Sequence, residues 1–144
     1  MKTIKITLYA LLICTGLLTL LPSCKKGSDD PIVSLRTRKD RFTNTWTLAK
    51  YEKNGINQDL NGTSYIYNIF NSGTLTQTIE GALFGAPVKT VKSGTWAFEN
   101  DDEDVRITID GAADVYNIQR LASSELWLRK SVDGNTYVYY FEGN

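Results

Sequence analysis

The sequence predicts an all-β chain, an eight-stranded antiparallel up-and-down β-barrel with a short helix before it and an export signal in front. Three observations predict it. From Trp46 onward, apolar and polar residues alternate in short runs, the period of a strand with one buried face. Clusters of Asn, Asp, Gly and Ser break those runs at short intervals, and connections that short make antiparallel hairpins rather than parallel crossovers. Eight such strands lying open would expose two edges, and closure into a ring removes both.

The elements follow in chain order. Met1 to Lys5 carries two lysines and no acid, and Ile6 to Leu21 carries no charge. A positive start and a short apolar run form a secretory signal, a little short of the ~20 residues that span a membrane. An uncleaved membrane anchor and ordinary secretion are the alternatives. Leu21-Pro22-Ser23-Cys24 resembles the lipobox of bacterial lipoproteins, with Pro22 where a small or aliphatic residue is usual. The resemblance implies that 1–23 is removed and that Cys24 becomes the lipid-bearing first residue. Each buried methylene contributes ~0.8 kcal/mol, so several acyl chains anchor a protein stably where one does not. The expected address is the cell envelope, lipid-anchored at the outer membrane. Lys25 to Asp30 is a polar tether. Its basic-then-acidic order resembles the surface-export signal of some Gram-negative lipoproteins, and a solvated linker is the alternative reading.

Asp30 suits a helix N-cap and Pro31 the first helical position. Ile32, Leu35 and Phe42 then share one helical face, suited to covering a barrel end. Segment 24–41 therefore holds the lipidated cysteine, tether and short helix, and 42–144 the barrel domain.

Strands are predicted over 45–52, 64–70, 74–80, 88–98, 105–110, 114–121, 125–130 and 136–142. Alternation is clearest at 105–110, where Val105, Ile107 and Ile109 share a face opposite Arg106, Thr108 and Asp110. Leu126 and Leu128 share a face opposite Trp127, and Trp96 and Phe98 share another. Gly94, inside a strand, is expected to mark a bulge.

Several of these segments resemble lipocalin-like domains. Phe42 to Leu48 (FTNTWTL) resembles their opening Gly-x-Trp strand, with Trp46 in the tryptophan position and Asn44 where the family has glycine. Phe70-Asn71-Ser72-Gly73-Thr74 resembles the Phe-x-x-Gly-Thr hairpin, and Ser93-Gly94-Thr95-Trp96 the mid-domain Gly-x-Trp strand. Tyr116 to Leu121, Glu125 to Leu128 and Tyr137 to Phe141 resemble the last three strands. The resemblance covers about 42–142 and implies a lipocalin-like barrel on an anchored bacterial lipoprotein. It implies no particular ligand.

Composition narrows the function. The full chain has 16 basic and 16 acidic residues, and loss of Lys2 and Lys5 with the signal leaves a net charge of −2. That balance excludes a nucleic-acid partner. No histidine is present, so Ser-His-Asp and Cys-His nucleophile systems and histidine-ligated metals are excluded. Cys14 lies in the signal and Cys24 at its end, so the domain has neither disulfide nor thiol. Neither catalytic residues, nor a metal, nor a cofactor is expected. The acidic run from Glu99 to Asp104 has no glycine and consecutive carboxylates, which reads as a solvated turn rather than a calcium loop or a carboxylate pair.

Trp46, Tyr65, Tyr67, Trp96, Tyr116, Tyr137 and Tyr139 are candidate cavity-lining residues for a small apolar or amphipathic ligand. The same aromatics could instead fill the barrel as core. Leu83 and Phe84, in a Gly/Pro-rich connection over 80–88, are a candidate lid. They could equally contact a partner or a membrane, or fold back over the mouth. Two functions follow, a lipid-anchored binding module or an accessory protein with a solid barrel whose loops contact a protein partner. An enzyme working through carboxylates and tyrosines has few acid–base groups to use near neutral pH.

Overall fold

The computed structural model describes residues 35–144. The signal, Cys24 and the tether lie outside the described residues. Helix α1 covers Arg38–Phe42. Nine strands follow: β1 Thr45–Lys53, β2 Ile56–Gln58, β3 Ser64–Ile69, β4 Thr74–Leu83, β5 Ala86–Glu99, β6 Asp104–Ile109, β7 Ala112–Leu121, β8 Glu125–Val132 and β9 Asn135–Gly143. All pairings are antiparallel, each barrel strand beside the next, and β9 returns to pair with β1 from Trp46 to Lys53. The eight-stranded antiparallel barrel expected from the alternation is therefore closed. The strand not foreseen, β2, is a three-residue flap on Tyr51–Lys53, beside the stretch Thr45–Thr47 where β1 pairs with β3. Each barrel strand has both neighbours between 45 and 143, so this part of the chain closes its ring by itself.

Two-residue turns set the register. Asn54-Gly55, Asp110-Gly111 and Asp133-Gly134 each hold two successive positive φ angles, the I′ geometry whose twist matches the flanking strands. A fourth turn is Phe84-Gly85, with Phe84 at φ 52°. The expected loop over 80–88 is thus strand up to its tip, with Leu83 paired to Ala86 and Ala82 to Pro87. Proline is tolerated because residues flanking a two-residue turn share the close hydrogen-bonded pair. The next pair, Ala82–Pro87, has no ladder bond between its members, and the missing N–H would have pointed outward. Along 86–93, β5 has no strand on its other side among the described residues, since β6 meets it only from Gly94 onward.

Gly94 marks no bulge, for β5 keeps unbroken register with both neighbours. A Cβ there would lie 2.2 Å from the Thr108 carbonyl oxygen, so the glycine lets two backbones approach. The bulges fall in β1 between Leu48 and Lys50 and in β7 between Ile118 and Arg120.

The expected cap at Asp30-Pro31 and the expected Ile32 lie outside the described residues; Leu35 precedes the helix and is exposed, so it does not join Phe42 in covering the barrel end. Thr37 is the N-cap of α1, and a capping box links Thr37 and Asp40 reciprocally. Phe42, fully buried, seats α1 against the barrel with its ring 4.8 Å from Trp96 and 5.3 Å from Phe98. The fully buried side chains Trp46, Phe42, Leu75, Val105, Ile118, Leu121 and Leu126 gather at this end. Each contributes about 1.5–3 kcal/mol by burial, and together they make a solid floor.

Candidate ligand-binding site in the barrel

Above that floor the lumen stays open. The inward positions include Trp46, Leu48, Tyr51 and Lys53 on β1, Tyr65, Tyr67 and Ile69 on β3, Gln77 and Ile79 on β4, Lys92 on β5, Ile107 on β6, Asp114 and Tyr116 on β7, Leu128 and Lys130 on β8, and Tyr137, Tyr139 and Phe141 on β9, following the strand registers. The β1 bulge changes parity after Leu48 and brings Tyr51 inward opposite Tyr139, with stacked rings 5.9 Å apart.

Two chambers result. The inner one, about 140 Å³, is apolar and rests on Trp46, Ile69, Leu126 and Leu128, with Tyr67, Tyr116, Tyr139 and Phe141 around it. The outer one, about 370 Å³, lies toward the mouth among Tyr51, Tyr65, Tyr67, Gln77, Tyr137 and Tyr139. Tyr67, Tyr139 and Phe141 border both.

Polar groups are few and placed on the walls. Gln77 Nε2 donates to the Tyr67 phenol oxygen, which keeps its own proton to donate. Tyr116 donates to Asp114 Oδ2 at 3.2 Å, and Lys130 Nζ pairs with the same oxygen at 2.9 Å. Burial first, and then the Asp114 carboxylate, pushes the Tyr139 phenol up to about 12. The same two causes, in the same order, raise Tyr116 above the ordinary range. Burial raises Tyr67 as well, against the opposing effect of the Gln77 hydrogen bond. These phenols are neutral hydrogen-bond donors at any physiological pH.

Of the candidate lining residues, Trp46 forms the inner floor with Nε1 held by the Phe42 carbonyl at 2.9 Å. Tyr67, Tyr116 and Tyr139 stand around the inner chamber, and Tyr65 and Tyr137 border the outer. Trp96 lines neither chamber. Its ring packs beneath α1 and its Nε1 donates to the Phe70 carbonyl at 3.0 Å. Leu83 and Phe84 also lie apart, at the tip of the β4–β5 hairpin, 60% and 101% exposed. Sequence reasoning missed Gln77, whose signal was its parity with Leu75, and Tyr51, whose parity the bulge hides. The acidic run forms the β5–β6 turn, with Glu99 on Arg106 and Asp104 on Asn117.

This geometry defines a lipocalin-like β-barrel with a closed floor and an open, tyrosine-lined mouth. Solved structures agree on the fold. A lipocalin-like protein from Bacteroides uniformis ATCC 8492 is similar at 15% identity with a TM-score of 0.54, covering 72% of this chain and 99% of its own. Japanin from Rhipicephalus appendiculatus, bound to cholesterol, is similar at 14% identity with a TM-score of 0.51, covering 70% of this chain and 74% of its own. No protein-family model and no curated protein matches the sequence.

Proposed function

We propose that this chain is a membrane-anchored bacterial lipoprotein whose barrel holds a small apolar or amphipathic ligand without transforming it. The observation that carries the binding reading is the two-chambered lumen. Its outer chamber of about 370 Å³ falls in the ~300–1,000 Å³ range of small-molecule sites. The inner chamber of about 140 Å³ is close to the ~150 Å³ apolar cavity that takes up a benzene ring. A ligand therefore rests a slim apolar end on Trp46 and keeps its bulk among the tyrosines. The cholesterol bound by Japanin, on a similar fold, supports a lumenal ligand.

Anchoring rests on Leu21, Ser23 and Cys24. It fits the path of the chain, which joins the barrel through α1 at the floor and leaves the mouth facing away. The expected location is the outer membrane, with the domain at the surface or in the periplasm.

The test for binding is a titration of fragment 25–144 with N-phenyl-1-naphthylamine. One saturable site that quenches Trp46 is expected, and absence of saturation overturns the reading. For the anchor, palmitate labelling of the full chain is expected to disappear in Cys24→Ala. Labelling that persists removes the lipoprotein reading.

A second reading, a protein partner held by the loops, draws on the exposed Leu83 and Phe84. Leu83→Asp with Phe84→Asp separates the roles. Slower ligand uptake makes the pair a lid, loss of one stoichiometric partner makes it a docking tip, and no change in either removes both roles.

A further inference from the structure

The walls of the lumen carry two polar groupings among apolar and aromatic residues: Asp114 with Tyr116 and Lys130, which bond to one another, and Gln77 with Tyr67. In the second, Gln77 reaches Tyr67, one of three residues that border both chambers. An amide side chain has four hydrogen-bonding positions, and among the described residues its side-chain hydrogen bond is the one to Tyr67. Burying such groups among apolar neighbours costs free energy unless they are satisfied. As filling for a barrel, leucine would serve better at either position. The pair therefore offers a donor and an acceptor where an entering ligand passes from the outer chamber to the inner.

We infer that Gln77 and Tyr67 are specificity-determining residues that read one neutral hydroxyl on an otherwise apolar ligand. The inference rests on the binding reading given above and narrows its ligand class to apolar alcohols. The phenol proton of Tyr67 and the amide of Gln77 donate to and accept from the hydroxyl. Charge argues against a carboxylate in the same place. Lys130 is already held by Asp114 at 2.9 Å, Lys92 by Asp110 at 2.9 Å, and the Asp114 carboxylate repels a second anion. Lys53, the remaining inward cation, lies out at the mouth with Nζ 5.8 Å from the centre of the Tyr137 ring.

The test compares three ligands of one shape, 2-naphthol, naphthalene and 2-naphthoate, by equilibrium dialysis against fragment 25–144. A passive apolar lumen prefers naphthalene, because the hydrocarbon surrenders no hydrogen bonds to water. A lumen that reads a hydroxyl reverses the order, with 2-naphthol bound about tenfold more tightly than either other ligand, as one well-made hydrogen bond allows. Gln77→Leu and Tyr67→Phe are each expected to bring 2-naphthol down to the level of naphthalene while naphthalene itself moves less than about threefold. The naphthalene value also reports that each variant is folded with its lumen open. Equal or inverted affinities in the unaltered chain, preference for 2-naphthoate, or variants that weaken all three ligands alike overturn the inference while ligand binding stands. Failure of all three to bind overturns both.

Discussion

At Gly94 a single hydrogen is what lets two strands meet. The Cβ of any other residue would press on the Thr108 carbonyl at 2.2 Å and on the Ile109 side chain at 3.1 Å. Gly94→Ala is expected to cost about 1–3 kcal/mol, the usual penalty of overpacking, seen as a lowered thermal midpoint with the β5–β6 pairing most affected. Phe84 shows the opposite case. It stands in the left-handed region, where the three other two-residue turns place Asn54, Asp110 and Asp133, and its side chain is 101% exposed. Left-handed backbone costs an ordinary L-residue roughly 1–2 kcal/mol, and Asn is among the residues that tolerate it. Phe84→Asn is therefore expected to stabilise the domain by about 1 kcal/mol, raising the midpoint in a thermal melt by several degrees. The residue scale also shows what the sequence made legible. Trp46, Tyr67, Tyr116 and Tyr139 stand out in the sequence as strand aromatics that could line a cavity or fill the core, and the strand registers turn them toward the inner chamber. Trp96 has the same chemistry and the same alternation, yet lies under α1, because its height along the strand decides its place and height is set by closure.

Among the elements, strands with strict period two were readable almost to their ends. Strand β6 presents Val105 and Ile107 inward as its pattern demands. The departures have physical causes. Gly81, Gly85 and Pro87 resemble loop punctuation, but Gly85 alone sits in the turn, Gly81 lies within β4 paired with Val88, and the proline falls where no ladder bond is lost. The bulges at Ala49 and Gln119 sit on unremarkable residues, because register shifts of this kind come from closing and twisting the sheet rather than from local preference. Tyr51 therefore could not be assigned to the lumen from its own neighbourhood, and the outer chamber was only half visible. The cap of the described helix was not read from the sequence, for a different reason. Thr37, a weak helix former in the interior, is a strong cap once Asp40 answers it from three residues on.

For the whole molecule, the buried phenols tie stability to alkali. Tyr139 ionises at about 12 when folded and near 10 when unfolded, and Tyr67 and Tyr116 are raised as well. The folded state holds these protons more tightly than the unfolded state, so the contribution is fully present below pH 10. It is lost as pH rises from about 10 through 12. In an alkaline titration, the phenolate absorbance of Tyr67, Tyr116 and Tyr139 is expected to appear together with the loss of the β-sheet circular dichroism signal. Ionisation of all tyrosines before any unfolding would show that the lumen is wet throughout.

The stretch of β5 from Ala86 to Ser93 that outruns β6 is, among the described residues, a bare rung ladder, the kind of rim to which a second molecule adds itself. Its composition reads as a guard against that event. Pro87 removes a donor from the rim, while Lys89, tied to Glu80 at 2.8 Å, and Lys92 put charge along it. Stripping these sentries with Pro87→Val and Lys89→Val should turn a well-behaved domain into one that self-associates, with light scattering rising steeply with concentration.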